Sequence, residues 1–122
     1  MSRAMRRRAF RRGHVAEFLG LWHLRRRGWR ILARRFKVKS GEIALIARKG
    51  RVLAAIAVKA RDICSAAGEA ISSHQRRRTA RAFDHFLALR PELQRPDARF
   101  DVMLVAPGRL PRHVVDAWRK AF

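Results

Sequence analysis

The alternation of apolar and polar residues predicts a β-hairpin near the middle of the chain. Two short runs rich in β-branched residues, 42–48 and 51–59, flank Lys49 and Gly50. A two-residue turn at Lys49 and Gly50 would join the runs, with Gly50 taking the positive φ that such turns require. The spacing therefore predicts two antiparallel strands with a tight connection.

This register fixes which side chains share a face of the hairpin. Ala44 lies opposite Ala55, and Glu42 lies opposite Ala57. Successive side chains of a strand point to opposite faces. One face is therefore expected to carry Glu42, Ala44, Ala55, Ala57 and Lys59.

A helix and a further strand are predicted before the hairpin. Residues 13–27 place Val15, Phe18, Leu19 and Trp22 at i, i+3, i+4 and i+7, which is the spacing of a buried helical stripe. Leu21 and Leu24 widen this stripe, and Gly20 would permit close contact with the sheet. Residues 29–38 read as the first strand. We expect the stripe to pack against the sheet.

A second helix and a fourth strand are predicted after the hairpin. Residues 66–90 carry an apolar stripe that includes Phe83 and Phe86, and residues 99–106 form an apolar run typical of a strand buried on both faces. A short final segment carries Val114 and Trp118. The order helix, three strands, helix, strand predicts an α/β fold with a mixed sheet flanked by helices. Residues 13–122 form one domain in this interpretation, after a basic arm at 1–12.

The charge of the chain is extreme for its 122 residues. Thirty lysine and arginine residues stand against nine aspartate and glutamate residues, which gives a formal net charge of +21. Such a charge attracts polyanions, nucleic acid first. The arginines expected to contact phosphate lie in the arm and on the second helix: Arg6, Arg7, Arg8, Arg76, Arg77, Arg78 and Arg81.

A single cysteine and the absence of a long apolar run limit the other classes. Cys64 alone can form neither an intramolecular disulfide nor a cysteine-rich zinc site, which fits a reducing compartment. No apolar run approaches the length of a membrane span. We therefore expect a cytoplasmic protein without a membrane partner.

Several short motifs together resemble one protein family. They are G-E-I-x-L-I-A-R followed by V-K-A-R in the hairpin, G-x-x-A-E at 13–17, W-R-I-L-A-R at 29–34, Q-R-R-R at 75–78 and R-F-D-V at 99–102. The chain resembles, over residues 13–118, the YraN-type family of uncharacterised, predicted endonucleases. That family lies within the restriction-endonuclease-like superfamily, so the resemblance implies a restriction-endonuclease-like core.

The resemblance also implies a site for metal-dependent phosphodiester cleavage. In the family pattern an aspartate stands at the position of Ala44 and a glutamate at that of Ala57, beside the lysine matched by Lys59. Carboxylate oxygens are the ligands that Mg²⁺ and Mn²⁺ prefer, and an alanine methyl group cannot replace them. The family pattern also directs Glu17 to the metal site and places Gln75 on the helix beside it.

Each of these residues also has an ordinary structural interpretation. The small hairpin residues would let a helix pack closely, Glu17 would pair with a nearby arginine such as Arg12, and Gln75 would cap a strand end. Glu42 could supply a displaced carboxylate. Glu17 and Glu42 are therefore the remaining candidate metal ligands.

The leading hypothesis is a nucleic-acid-binding protein of this predicted endonuclease family, impaired in cleavage because Ala44 and Ala57 replace metal-binding acids. One alternative is an active nuclease with relocated ligands. The other is a non-catalytic scaffold that binds DNA or RNA.

Overall fold

The computed structural model describes residues 3–60, 71–93, 96–106 and 108–119, and for residues 4–13 it describes the backbone alone. A 3-10 turn at Pro91–Leu93 precedes the fourth strand. The helices and strands of this part of the chain are α1 (Arg3–Arg26), β1 (Arg30–Val38), β2 (Gly41–Lys49), β3 (Val52–Ala60), α2 (Ser73–Ala88), β4 (Asp97–Val105) and β5 (Arg112–Trp118).

The strands form one mixed sheet in the order β1-β2-β3-β4-β5. Neighbouring strands are antiparallel except β3 and β4, which run parallel and are connected through α2. The predicted α/β fold with a mixed sheet is confirmed. The final segment, predicted only as a short addition, is a fifth strand, since Val114 pairs with Val102 of β4 and Trp118 pairs with Phe100.

The two helices cover opposite faces of the sheet. Along β3, Ala54 and Ile56 belong to the core cluster that contains Leu24 of α1. The alternate residue Leu53 belongs to the cluster that contains Phe83 of α2. This alternation is expected for a strand that is buried on both faces.

Helix α1 faces the sheet with only part of the predicted stripe. Leu21 and Leu24, which were predicted to widen the stripe, are buried, together with Ala16. The four residues at the centre of the predicted stripe are instead 40–55% exposed: Val15, Phe18, Leu19 and Trp22. The helix meets the sheet through its small residues, because a Cβ at Gly20 would lie 3.1 Å from Cγ of Met103. Close approach of the backbones therefore decided which face is buried.

Helix α1 also begins earlier than predicted. It starts at Arg3, so the backbone of residues 3–12, interpreted from the sequence as a separate arm, continues the helix. Arginine, alanine and methionine are good helix formers, and neither glycine nor proline interrupts residues 3–12. The side chains of Arg6, Arg7 and Arg8 lie outside the described part of the structure. Among the described residues, no helix combines the length and apolar character needed to cross a membrane.

The hairpin turn lies one residue later than predicted. Lys49 pairs with Val52, so Gly50 and Arg51 form the two-residue loop, and Gly50 has a φ of 60°. Glycine at the first central position suits a type II′ turn, which explains the displacement. Ala55 consequently pairs with Ile46 rather than with Ala44, and the predicted register is wrong.

Each residue of β3 pairs with a residue of β2 two positions away from the predicted partner. The same side chains therefore still share a face of the hairpin. A shift of two equals the side-chain period of a strand, whereas a shift of one would have exchanged the faces. The observed β2–β3 pairing ends at Leu45 and Ile56, although both strands continue beyond that point. The predicted pair of Glu42 with Ala57 is also wrong, because the β2–β3 pairing does not reach these residues. On its other side, Glu42 pairs with Lys37 of β1.

A buried carboxylate ties β5 to the sheet. Asp101 is fully buried and accepts two hydrogen bonds of 2.9 Å from Nε and Nη2 of Arg99. It also accepts one of 2.7 Å from Nε2 of His113 and one of 2.9 Å from the backbone amide of Asp116. Both carboxylate oxygens are thus satisfied by groups on β4 and β5, as a buried charge requires.

Candidate functional site

A pocket of about 490 Å³ lies where the pairing of β2 and β3 ends. Helix α1 contributes to it from one face of the sheet and α2 from the other. The pocket is lined by all six residues that the family resemblance assigned to the cleavage site or its replaced ligands: Glu17, Glu42, Ala44, Ala57, Lys59 and Gln75. The structure therefore brings together residues that are up to 58 positions apart in the chain.

Gln75 is fixed by the start of α2 and in turn contacts Lys59. The backbone amide of Gln75 donates to the Ser72 hydroxyl at 3.1 Å, and its side-chain oxygen accepts from the Ser72 amide at 3.4 Å. These two bonds form a capping box, which satisfies amides that a helix start leaves unpaired. The same oxygen of Gln75 accepts a 3.3 Å hydrogen bond from Nζ of Lys59. The helix cap thus positions the lysine at the pocket.

Glu17 is paired with Arg35 at the pocket, while the side chain of Arg12, the partner suggested from the sequence, lies outside the described part of the structure. Nε of Arg35 donates to Oε2 of Glu17 at 2.8 Å, and Nη2 of Arg35 contacts the ring of His14. Arg35 has a φ of 49°, a conformation that costs a non-glycine residue on the order of 1 kcal/mol. Backbone strain of this kind is often found at functional sites. The run of basic residues around Arg35 gave no signal that would single it out.

Glycine at position 41 permits the close contact between β2 and α2 beside the pocket. A Cβ at this position would overlap the backbone carbonyl group of Arg78. Arg78 itself lines the pocket. Backbone atoms of a helix cannot move aside as the end of a side chain can, so this contact requires glycine.

We expect Gly41→Ala to lower the free energy of unfolding by about 1–3 kcal/mol, the usual cost of overpacking. Gly20→Ala is the matched control, because its added methyl group meets side chains alone: the flexible Met103 at 3.1 Å and Val58 in ordinary contact at 3.8 Å. The control should change stability by less than about 1 kcal/mol, since alanine also favours the helix. Urea denaturation measures both variants. Equal stabilities of the two would contradict the close β2–α2 contact.

The carboxylates around the pocket do not fit a divalent metal ion. Among the described residues that line it, Glu17 and Glu42 are the acidic ones, and Glu17 is already engaged by Arg35. Within the described residues, no group of three or more histidine, cysteine, aspartate or glutamate side chains is arranged to hold a metal. Ala44 and Ala57 bring methyl groups to the positions where the family pattern has acids. No chemical step through a metal follows from these residues.

The pocket contains further cationic residues besides Lys59. Arg35, Lys37 and Arg78 also line it. Arg78 was expected from the sequence to contact phosphate, whereas Lys37 appeared only as part of a strand. The described lining thus brings several cations together, which favours anions.

The four arginines of α2 that were expected to contact phosphate have separate environments. Arg76 is half-buried, where its Nε donates to the carbonyl of Ile71 at 3.2 Å and its guanidinium lies 5.8 Å from the ring centre of Trp118. Arg78 lines the pocket, whereas Arg77 and Arg81 are exposed. Successive helix residues are about 100° apart around the axis, so a run of three arginines cannot share one face.

Comparison with known proteins identifies the family. The profile described as "Uncharacterised protein family UPF0102" matches residues 16–105. A UPF0102 protein of Parvibaculum lavamentivorans is 49% identical over 111 residues, which cover 91% of this chain and 84% of the relative. UPF0102 proteins of Paramagnetospirillum magneticum and Agrobacterium fabrum are 48% and 44% identical, over 91% and 93% of this chain and 89% and 93% of the relatives. The predicted YraN-type resemblance is confirmed, and the chain belongs to the UPF0102 family.

Proposed function

We propose that this protein binds nucleic acid with a nuclease-like domain whose cleavage activity is impaired. The observation that carries the proposal is the pocket, where Lys59 and Gln75 meet Glu17 beside the methyl groups of Ala44 and Ala57. In the pattern of the predicted endonuclease family, these positions belong to one site that cleaves phosphodiesters. The pocket retains its lysine and amide but has lost two acids, so it keeps groups that contact phosphate and lacks ligands for Mg²⁺ or Mn²⁺.

The distribution of charge supports a polyanionic partner. The chain carries an excess of 21 positive charges. Arg77 and Arg81 are exposed one helical turn apart on α2, the helix that also brings Gln75 and Arg78 to the pocket. A phosphate backbone that lies along this turn of α2 would pass beside the pocket. Affinity of this origin decreases steeply as salt increases, because binding releases condensed counterions.

The proposal is tested with the double variant Arg77→Ala, Arg81→Ala. We expect its affinity for a 20-base-pair duplex in EDTA to decrease about tenfold, and the slope of log K against log salt to fall by about 2. Fluorescence anisotropy at several salt concentrations measures both quantities. Single-stranded DNA and RNA of the same sequence show which nucleic acid is preferred.

A matched control removes the same charge from the other end of the molecule. Arg51 lies in the hairpin turn, and Arg26 lies at the end of α1, which is held near that turn by a 2.7 Å hydrogen bond from Lys49 to the Arg27 carbonyl. Arg26→Ala, Arg51→Ala should weaken binding less than the α2 variant. Equal losses of affinity in the two variants would indicate that nucleic acid is attracted by the total charge and not by the surface of α2. Absence of binding at low salt would overturn the proposal.

A further inference from the structure

The side of α1 that faces away from the sheet carries an exposed apolar stripe. The four residues of this outer stripe are 40–55% exposed: Val15, Phe18, Leu19 and Trp22. Successive helix residues are about 100° apart around the axis, so the outer stripe lies opposite the buried residues Ala16, Leu21 and Leu24. Contiguous exposed apolar surface with a charged border marks interaction sites. The outer stripe is therefore a candidate surface for a ligand or a partner.

Two aromatic rings form the centre of the outer stripe. Phe18 and Trp22 lie one helical turn apart, with their ring centres separated by 6.3 Å and their planes inclined by 70°. About half of each side chain is exposed. Exposed aromatic rings stack on bases whose faces are accessible, as in proteins that bind single strands. The paired bases of a duplex are stacked on one another, so such rings cannot reach their faces.

The charges around the outer stripe favour an anionic occupant. Arg25 and Arg26 are exposed three and four positions after Trp22, which places them beside it on the helix surface. The one acidic residue of α1 is Glu17, which is already paired with Arg35. A second copy of this helix would bring arginines against arginines, which is unfavourable. A nucleic-acid strand instead offers bases to the rings and phosphates to the guanidinium groups.

We propose that Phe18 and Trp22 stack on unpaired bases, so that α1 binds a single-stranded segment of nucleic acid. This proposal rests on the proposed function, because it specifies which part of a nucleic acid the protein contacts. The two helices cover opposite faces of the sheet, so this segment is distinct from the backbone that lies along Arg77 and Arg81 of α2. Glu17 directly precedes Phe18 and lines the pocket, so a strand bound on α1 would pass one side of the pocket.

The test compares Trp22→Leu with the wild-type protein. Leucine keeps an apolar side chain at this exposed position but has no aromatic face. We expect the affinity for a 20-nucleotide single strand of DNA in EDTA to decrease about tenfold, and the affinity for the duplex of the same sequence to decrease by less than about twofold. The slope of log K against log salt should stay unchanged for both probes, because no charge is removed. Fluorescence anisotropy measures these quantities.

Two control variants separate stacking from general apolar contact. Trp22→Phe keeps an aromatic face and should retain most of the affinity for the single strand. Leu19→Ala shortens an apolar side chain of the same stripe without removing a ring, and it should leave the affinity unchanged. Trp22 is the most exposed of the three tryptophans, so the single strand should quench the indole fluorescence of the wild-type protein but not that of Trp22→Phe.

Three other results would overturn the stacking proposal and leave the proposed function intact. The first is that Trp22→Leu weakens binding of the single strand and of the duplex equally, or weakens neither. The second is that Leu19→Ala weakens binding of the single strand as much as Trp22→Leu does. The third is a wild-type dimer in sedimentation that Leu19→Ala dissociates, which would assign the outer stripe to a second copy. Failure to bind either probe at low salt would overturn both proposals.

Discussion

Ala44→Asp together with Ala57→Glu should give the protein a nuclease activity that requires Mg²⁺ or Mn²⁺. The two new carboxylates would join Glu17 and Glu42 at the pocket, at the positions where the family pattern has acids. A bound metal ion stabilises the transition state of phosphoryl transfer by several kcal/mol, and each 1.36 kcal/mol is tenfold in rate. We therefore expect cleavage at least about a hundredfold faster than that by the wild-type protein.

Cleavage of supercoiled plasmid and of labelled single-stranded RNA, with Mg²⁺, Mn²⁺ or EDTA, measures this gain. Ala44→Asn together with Ala57→Gln is the matched control, because these side chains have nearly the same shape without the charge. Adding Lys59→Ala to the acidic double variant should abolish the gain and also excludes a contaminating nuclease. A folded acidic variant that cleaves nothing would favour the scaffold alternative. Strong cleavage by the wild-type protein that Glu17→Ala abolishes would favour relocated ligands.

Asp101→Ala should lower the free energy of unfolding by about 3–5 kcal/mol, the largest stability loss we expect of a single substitution. The substitution leaves Arg99, His113 and the amide of Asp116 without their common acceptor, and all three point into a buried position. β5 should detach first, because Asp101 is the point where several of its groups meet β4. Urea denaturation measures the loss, and hydrogen exchange of the amides of β5 localises it.

The same carboxylate makes stability depend on pH. Burial alone would raise the pKa of Asp101, but the hydrogen bonds from His113, Arg99 and the Asp116 amide outweigh it and lower the pKa. A group with a lowered folded pKa stabilises fully above its unfolded pKa of about 4, and this contribution is lost as pH falls through the folded value. Stability should therefore decrease below about pH 4.

Asp101→Asn should lower stability at pH 7 and flatten its decrease between about pH 4 and pH 2. The control is Asp97→Asn, at an exposed residue at the start of β4. That variant should keep the acid dependence of the wild-type protein. If Asp101→Asn unfolds with the same pH profile as the wild-type protein, the buried network does not carry the acid sensitivity.

The sequence predicted the pocket better than the helix that covers one side of it. A register error of two residues did not change the shared face, because two is the period of a strand. Lys59, Ala57 and Ala44 therefore still meet at one end of the hairpin. The buried face of α1 was predicted from the spacing of its large apolar residues, and only Leu21 and Leu24 of that stripe are buried. The close contact expected at Gly20 is present, and it turns Val15 and Phe18 away from the sheet. Spacing along a chain does not report which part of a wide stripe a neighbouring strand contacts.

Contacts between distant residues account for the parts of the site that the sequence did not reveal. Arg35 pairs with Glu17 across 18 positions, and its positive φ depends on the surrounding structure. Gln75 was interpreted from the sequence as a cap of a strand end or as a site residue. It instead caps the start of α2 through Ser72, and its side chain also contacts Lys59 at the pocket. The pattern S-x-x-Q at 72–75 could have identified the cap from the sequence.

Binding of Mn²⁺, followed by electron paramagnetic resonance in the wild-type protein and in Ala44→Asp, Ala57→Glu, tests the central claim most directly. If Ala44 and Ala57 are the reason that this pocket does not bind a metal ion, the wild-type protein should not bind Mn²⁺ at millimolar concentration. The acidic variant should bind about one ion for each chain. One tightly bound Mn²⁺ in the wild-type protein, removed by Glu17→Ala, would contradict the account.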